Sequence, residues 1–272
     1  KVAVIAFGKL GAREFGFASD LDLIFLTNSL DDNQHASLVK VIKRFISWLT
    51  VSTSAGNLFK IDLRLRPNGN SGLLITSLKS FSEYQTKKAW LWEHQAITKS
   101  RFCAGNKSIG MKFESVRKEI LQKQRPIPEM LEEIVAMRNK IQKQHKSLDE
   151  FDIKYHKGGM IDVEFLVQAT ILRYSKKFPS LCKNIGTINL LRDFGEKGIL
   201  PSELSKKVSY IYAEYRSIQH NLRLKNMSEK KFNVNDFKDQ INTVNKLWDK
   251  VFKEAPKVIR KLSEINKHKR IL

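Results

Sequence analysis

The stretch "GFASDLDLIFLT", residues 16–27, sets two acids, Asp20 and Asp22, at the head of an apolar run of Leu21, Leu23, Ile24, Phe25 and Leu26. The run reads as a buried strand. Positions two apart on a strand project from the same face, about 6.5 to 7 Å apart along the backbone. Two carboxylates held that way repel and raise each other's pKa, unless a cation sits between them. Mg²⁺ is the natural occupant, because it takes oxygen ligands and is usually held by one or two carboxylates together with substrate phosphates.

An isolated pair of this kind also reads as a solvated strand edge, so its neighbours decide. Upstream, "KVAVIAFG" is a strand ending in Gly8, and Gly8, Lys9 and Gly11 form a turn where bare backbone can approach a phosphate and Lys9 can add a point charge. Downstream, "NLFKIDLRLRP" alternates, with Ile61, Leu63 and Leu65 on one face and Asp62, Arg64 and Arg66 on the other. Three carboxylates, a glycine-rich turn and two arginines suited to a triphosphate point to a two-metal nucleotidyl-transfer site, with Asp20, Asp22 and Asp62 as catalytic and metal-binding residues.

The rest of the chain supplies the frame. The first hundred residues mix strand and helix signals, with Leu38, Val41, Ile42, Phe45, Ile46 and Leu49 at helical spacing, and from about residue 113 the pattern is helical throughout. "MIDVEFLVQATILRY" is apolar almost all round, as a helix in the middle of a bundle is. Ser202, after Pro201, reads as the cap of a long helix reaching Leu222. The expected fold is therefore α+β, a mixed-sheet domain over residues 1–112 followed by an all-helical bundle over 113–272.

A chain of 272 residues that is 42% hydrophobic can bury a substantial core, and no apolar run is long enough to cross a bilayer. The chain begins at Lys1 and enters a strand at once, as a piece of a longer protein would. Cys103 and Cys182 lack disulfide or zinc spacing, which fits a reducing, cytoplasmic setting. The net charge of +21 invites a nucleic-acid reading, but the lysines are scattered rather than gathered with aromatics, so no specific nucleic-acid partner is expected.

"GKLGAREFGFASDLDLIF" resembles the nucleotidyltransferase fold related to DNA polymerase β. Together with "STSAGNLFKIDLRLRPNGNSGLLITS", "AWLWEHQAITKSRFCAG" and "FDIKYHKGGMIDVEFLVQ" it resembles glutamine-synthetase adenylyltransferase, and the "SGLLITS" and "WLWEHQA" blocks resemble its C-terminal, adenylylating half. The resemblance implies transfer of AMP from ATP to a tyrosine of glutamine synthetase with Mg²⁺, regulation by a PII signalling protein and glutamine, and a site at Gly8, Ser19, Asp20, Asp22 and Asp62. Asp62 is expected to help deprotonate the tyrosine hydroxyl. The alternatives are the adenylyl-removing half, an RNA-modifying nucleotidyltransferase and an inactive binding module. His94, beside Trp90 and Trp92, reads better as a hydrogen-bonded packing residue than as a substrate contact. Lys154, with Gly158 and Gly159, is a candidate phosphate contact. For Asp162 and Glu164, near a helix start, capping or domain contacts on one side and a site role on the other are equally open.

Overall fold

The computed structural model describes residues 1–253 except 18, 29–31, 55, 146–149 and 228–229. The chain forms two compact units, one of residues 1–123 with 178–186, the other of 124–177 with 187 onward.

The first unit is built on the apolar runs. β1 (Val2–Ala6), rich in β-branched residues, and β2 (Leu21–Thr27) pair antiparallel from Val2 opposite Thr27 to Ala6 opposite Leu23. Between them the chain makes the one-turn helix α1 (Gly8–Gly11). After α2 (Asp32–Thr50), the small hairpin of β3 (Ser52–Thr53) and β4 (Gly56–Asn57) precedes β5 (Ile61–Asp62). β5 runs parallel to the start of β2, and β6 (Ile75–Ser77) runs parallel to its end. The unit continues through α3 (Leu78–Lys87), α4 (Leu91–Thr98), β7 (Arg101–Gly105) and α5 (Lys107–Gln122). β7 closes the other edge against β1, giving the order β5, β2, β1, β7. Side-chain caps place two of these helices: Ser77 accepts from Ser80 N–H at the head of α3, and Asn106 from Ile109 N–H at the head of α5. Residue 112, the expected end of the first domain, lies inside α5.

Strand alternation over 58–66 does not persist. β5 stops at Asp62, and turns follow through Pro67 to Asn68, whose φ is +61°. A residue in left-handed geometry followed by a glycine also at positive φ makes a corner, which breaks the period of two.

The second unit holds α6 (Ile127–Gln144), β8 (Glu150–Phe151), α7 (Met160–Tyr174), α8 (Thr187–Glu196), α9 (Ser202–Leu224), β9 (Phe232–Asn233) and α10 (Lys238–Phe252). α7 is buried over most of its surface, including Val163, Leu166, Val167, Thr170 and Ile171. Phe151 stacks on Phe237 at 4.8 Å and packs against Tyr215. Ser202 is the first residue of α9 rather than its cap; Pro201 stands in the cap position without a side-chain bond, and its ring presets the backbone angle for the entry. No helix among the described residues is long and apolar enough to cross a membrane.

Candidate active site

Asp22 is the second residue of β2, and its partner across the parallel pairing with β5 is Asp62. Paired residues on neighbouring strands, about 4.8 Å apart, present their side chains to the same face. The alternation of β2 buries Leu21 and Leu23 in one apolar cluster with Ala6 and leaves Asp22 half-buried between them. Burial pushes the Asp22 carboxyl up to about 6, and the charges of Asp62 and Asp20 push in the same direction against Arg64 and Lys9. Asp20, just ahead of the strand, is exposed. The strand therefore carries an anionic charge that its own fold disfavours.

The turn ahead of β2 closes on this carboxylate. Phe7 N–H donates to the Asp22 carbonyl at 2.8 Å, and Gly8 follows with φ of +55°. A Cβ on Gly8 would lie 2.1 Å from Asp22 Oδ2, so both the backbone angle and the space demand glycine. Ser19 is buried, and its Oγ accepts Gly16 N–H at 3.3 Å, shaping the approach to Asp20.

Gly11, expected at the phosphate turn, has a packing reason to be glycine. Its Cβ would meet Lys99 O at 2.0 Å and Ala6 O at 2.7 Å, so its missing side chain admits the neighbouring backbone. The two arginines also part company. Arg64, its side chain 73% exposed, donates from Nε and NH2 to the Asp62 carboxylate and holds that carboxyl below the usual range. Arg66 donates to the carbonyls of Gly72, Leu63 and Asn70 at 2.9 to 3.0 Å and so staples the loop. The corner after Asp62 separates the two roles, because past the strand end neighbours in the period-two pattern no longer share a face.

The donor set suits a hard cation, since carboxylate oxygens are what Mg²⁺ takes and the charge on Asp22 is what a cation would relieve. Among the described residues no group of three His, Cys, Asp or Glu side chains is already gathered to hold a metal. The Arg64 guanidinium occupies the Asp62 oxygens meanwhile, as a fixed counter-charge.

The sequence that builds this arrangement has known relatives. Residues 1–116 match the family described as Glutamate-ammonia ligase adenylyltransferase, and residues 127–246 match the family described as GlnD PII-uridylyltransferase. A bifunctional glutamine synthetase adenylyltransferase/adenylyl-removing enzyme of Burkholderia mallei is 42% identical over 257 residues, 92% of this chain and 28% of that enzyme. Enzymes of the same description from Aromatoleum aromaticum and Nitrosomonas eutropha are 46% and 44% identical over 82% and 84% of the chain, each covered to 24% of its own length. Over most of its length the chain is a relative of glutamine synthetase adenylyltransferases. It spans about a quarter of the length of those relatives.

In this adenylyltransferase relative the weaker candidates sort themselves. His94 is buried, with Nε2 2.9 Å from the Gln85 carbonyl, a packing role. Asp162 is buried on α7, where it pairs with Arg138 and accepts Gly158 N–H at 2.6 Å, a reach back past the helix start that closes the N-terminus. Glu164 accepts from Tyr212 OH at 2.9 Å. Lys154, in the second unit, donates to Tyr155 OH at 2.8 Å and lines a 190 Å³ cavity with Gln219, Arg223 and Lys230. Cys103 and Cys182 are both free thiols. Asn184 and Arg101 were not legible as site residues. They act on the carbonyls at the end of α1, and no local pattern marks a side chain that caps another segment's backbone.

Proposed function

We propose that the first unit transfers AMP from ATP to a tyrosine of glutamine synthetase, in the adenylylating direction, with a PII signalling protein as regulator and the cytoplasm as its setting. The observation that carries this reading is the carboxylate of Asp22, paired in register with Asp62, pressed by Gly8 and pushed up to about 6 by burial and by its acidic neighbours. A carboxylate crowded by like charges in this way suits a positively charged ligand. The likeness of residues 1–116 to the adenylyltransferase family supports the choice of reaction.

In this reading the tyrosine hydroxyl gives its proton to water as its oxygen attacks the α-phosphorus, the new O–P bond forms, the bond to the bridging oxygen breaks and pyrophosphate leaves. Mg²⁺ held by Asp20, Asp22 and Asp62 would supply charge stabilisation on the attacking and leaving oxygens. Gly8 lets the turn lie against Asp22, and Lys9 adds positive charge beside it, where the phosphates are to rest. Arg64 is placed to exchange its carboxylate for a phosphate, because it is exposed and already presents a forked donor edge. Asp62, held low by that same arginine, is a poor base for a phenol whose ordinary pKa is about 10; its part is to orient and bind. Ser19 fixes the entry to the acidic pair.

The test incubates the chain with labelled ATP, Mg²⁺, purified glutamine synthetase and, separately, RNA, followed by mass spectrometry. AMP on a glutamine synthetase tyrosine is the expected outcome. An adduct on RNA alone would overturn the reading, and so would a chain that only releases ADP from adenylylated glutamine synthetase and phosphate.

A further inference from the structure

Nine residues that follow α7 in sequence belong to the first unit: the strap Phe178–Gly186. It is bound there through one buried polar contact and two half-buried ones. Arg117, itself buried, donates to the carbonyls of Ile97 and Thr98 and, at 2.6 Å, to that of Cys182 on the strap. Asn184 Nδ2 donates to Gly11 O at 2.8 Å and to Ser100 O at 3.3 Å.

Gly11 O is the last carbonyl of α1. A helix of one turn cannot hold itself, since its nucleus costs more than its single turn returns, and its final carbonyls have no partner within the helix. The backbone that follows takes Leu10 O, from Arg13 N–H at 3.2 Å, and Lys9 O, from Glu14 N–H at 2.8 Å, and side chains from elsewhere complete the end. Arg101 NH2 donates to Leu10 O at 3.2 Å, and Asn184 takes Gly11 O. The other end of this turn is Gly8, with no spare room against Asp22. Because α1 is so short, anything that shifts its C-terminal end shifts Gly8 and Lys9 relative to the carboxylate.

We propose that Asn184 is a positioning residue for AMP transfer: acting from the strap, it fixes the one-turn helix whose opposite end sets Gly8 and Lys9 against Asp22. This rests on the adenylyl-transfer reading above. The strap is joined to α7 through residues 175–177 and runs straight into α8, both helices belonging to the second unit. A ligand that moves those helices therefore has a covalent route to the catalytic turn.

The test uses the full chain and two variants, Asn184→Ala and the isosteric Asn184→Asp, which swaps the donor for an acceptor facing two carbonyls. Hydrogen exchange at residues 9–14 should quicken by at least about tenfold in both, while β2 and α5 keep their protection. The kcat for AMP transfer should fall about tenfold in Asn184→Ala, with KM for glutamine synthetase unchanged. Asn184→Asp should fall further at pH 8 and recover relative to wild type toward pH 5, because a protonated carboxyl regains one donor; Asn184→Ala should show no such recovery. Wild-type exchange at the turn with wild-type kcat overturns the proposal. Exchange that quickens evenly over the whole unit, with kcat per folded molecule unchanged, makes Asn184 merely structural and also overturns it. If the wild-type chain transfers no AMP, the reaction reading falls, and the exchange pattern still decides for or against the strap. Should Asn184→Ala fail to fold, Asn184→Asp carries the same comparison.

Discussion

Asp22 in the first unit and Asp162 in the second are both aspartates whose carboxyls burial pushes upward, yet their surroundings differ in kind. Asp162 is the more buried. It has a guanidinium from Arg138 on one oxygen and the Gly158 N–H on the other, and Arg138 also donates to the carbonyls of Tyr155 and His156. Asp22 faces Asp62 and Asp20, with Arg64 already engaged by Asp62. One charge is answered within the fold, and the other stands among like charges. Depth of burial alone does not separate structure from function; the sign of the neighbours does.

The largest effect should come from breaking the answered charge. Arg138→Ala strands a buried carboxylate and should destabilise the second unit by about 3 to 5 kcal/mol, read from urea unfolding. Replacing both partners by apolar residues, Arg138→Met with Asp162→Leu, should recover most of that loss. A single variant within about 1 kcal/mol of wild type would mean that the pair does not hold α6 to the start of α7.

The complementary change should spare stability and remove activity. Asp22→Asn takes away one acid from a cluster of three, so at pH 8 it should melt no lower than the wild type. Transfer should drop at least about a hundredfold, because the lost ligand acts on charge that develops in the transition state. A variant that keeps more than a third of the activity would remove Asp22 from the site.

This contrast was half legible in the sequence. The period-two pattern of "SDLDLIFLT" marked β2 and its acids, since a strand's alternation is set by the backbone and survives any packing. Helical spacing likewise marked α2, and an apolar character almost all round marked α7. Arg66 misled, because the strand it seemed to share with Asp62 ends after two residues, and a turn at Asn68 redirects its guanidinium onto three carbonyls. Gly11 is ambiguous for a related reason: a glycine required by a neighbouring backbone looks the same in sequence as one required by a ligand. Neither the return of residues 178–186 to the first unit nor the pairing of Arg138 with Asp162 was visible, because both depend on segments brought together only by the fold.

A smaller effect separates the two arginines. Arg64→Ala should weaken ATP binding about tenfold in titration calorimetry while leaving the melting temperature nearly unchanged, because its ion pair is solvent-exposed. Arg66→Ala should do the reverse, lowering stability by roughly 1 to 3 kcal/mol as three loop carbonyls lose their donor, and touching ATP affinity only through the loop. If both variants lose ATP affinity equally with unchanged melting, the staple assigned to Arg66 is wrong.

The smallest expected effect is the dependence of stability on pH, and its sign follows from Asp22. Its carboxyl titrates at about 6 in the folded chain against 3.8 for the free group. Between those values the folded state binds the proton more tightly than the unfolded chain does, so this group's contribution to stability falls as pH rises from about 4 to 6 and stays low above that. The site is half open to solvent, and screening reduces the effect to the order of 1 kcal/mol. With a chelator present, Asp22→Asn should therefore gain stability relative to wild type across that window, and the gain should level off above pH 7. Mg²⁺ should narrow the difference at pH 8 by stabilising the wild type, because a bound cation favours the ionised carboxylate. Asp162 serves as the control, since its guanidinium and amide partners remain the same whether or not the metal is added. A gap between wild type and Asp22→Asn that stays flat from pH 4 to 7, or widens in the opposite sense, would show that burial and the acids around Asp22 do not raise its carboxyl as the geometry requires.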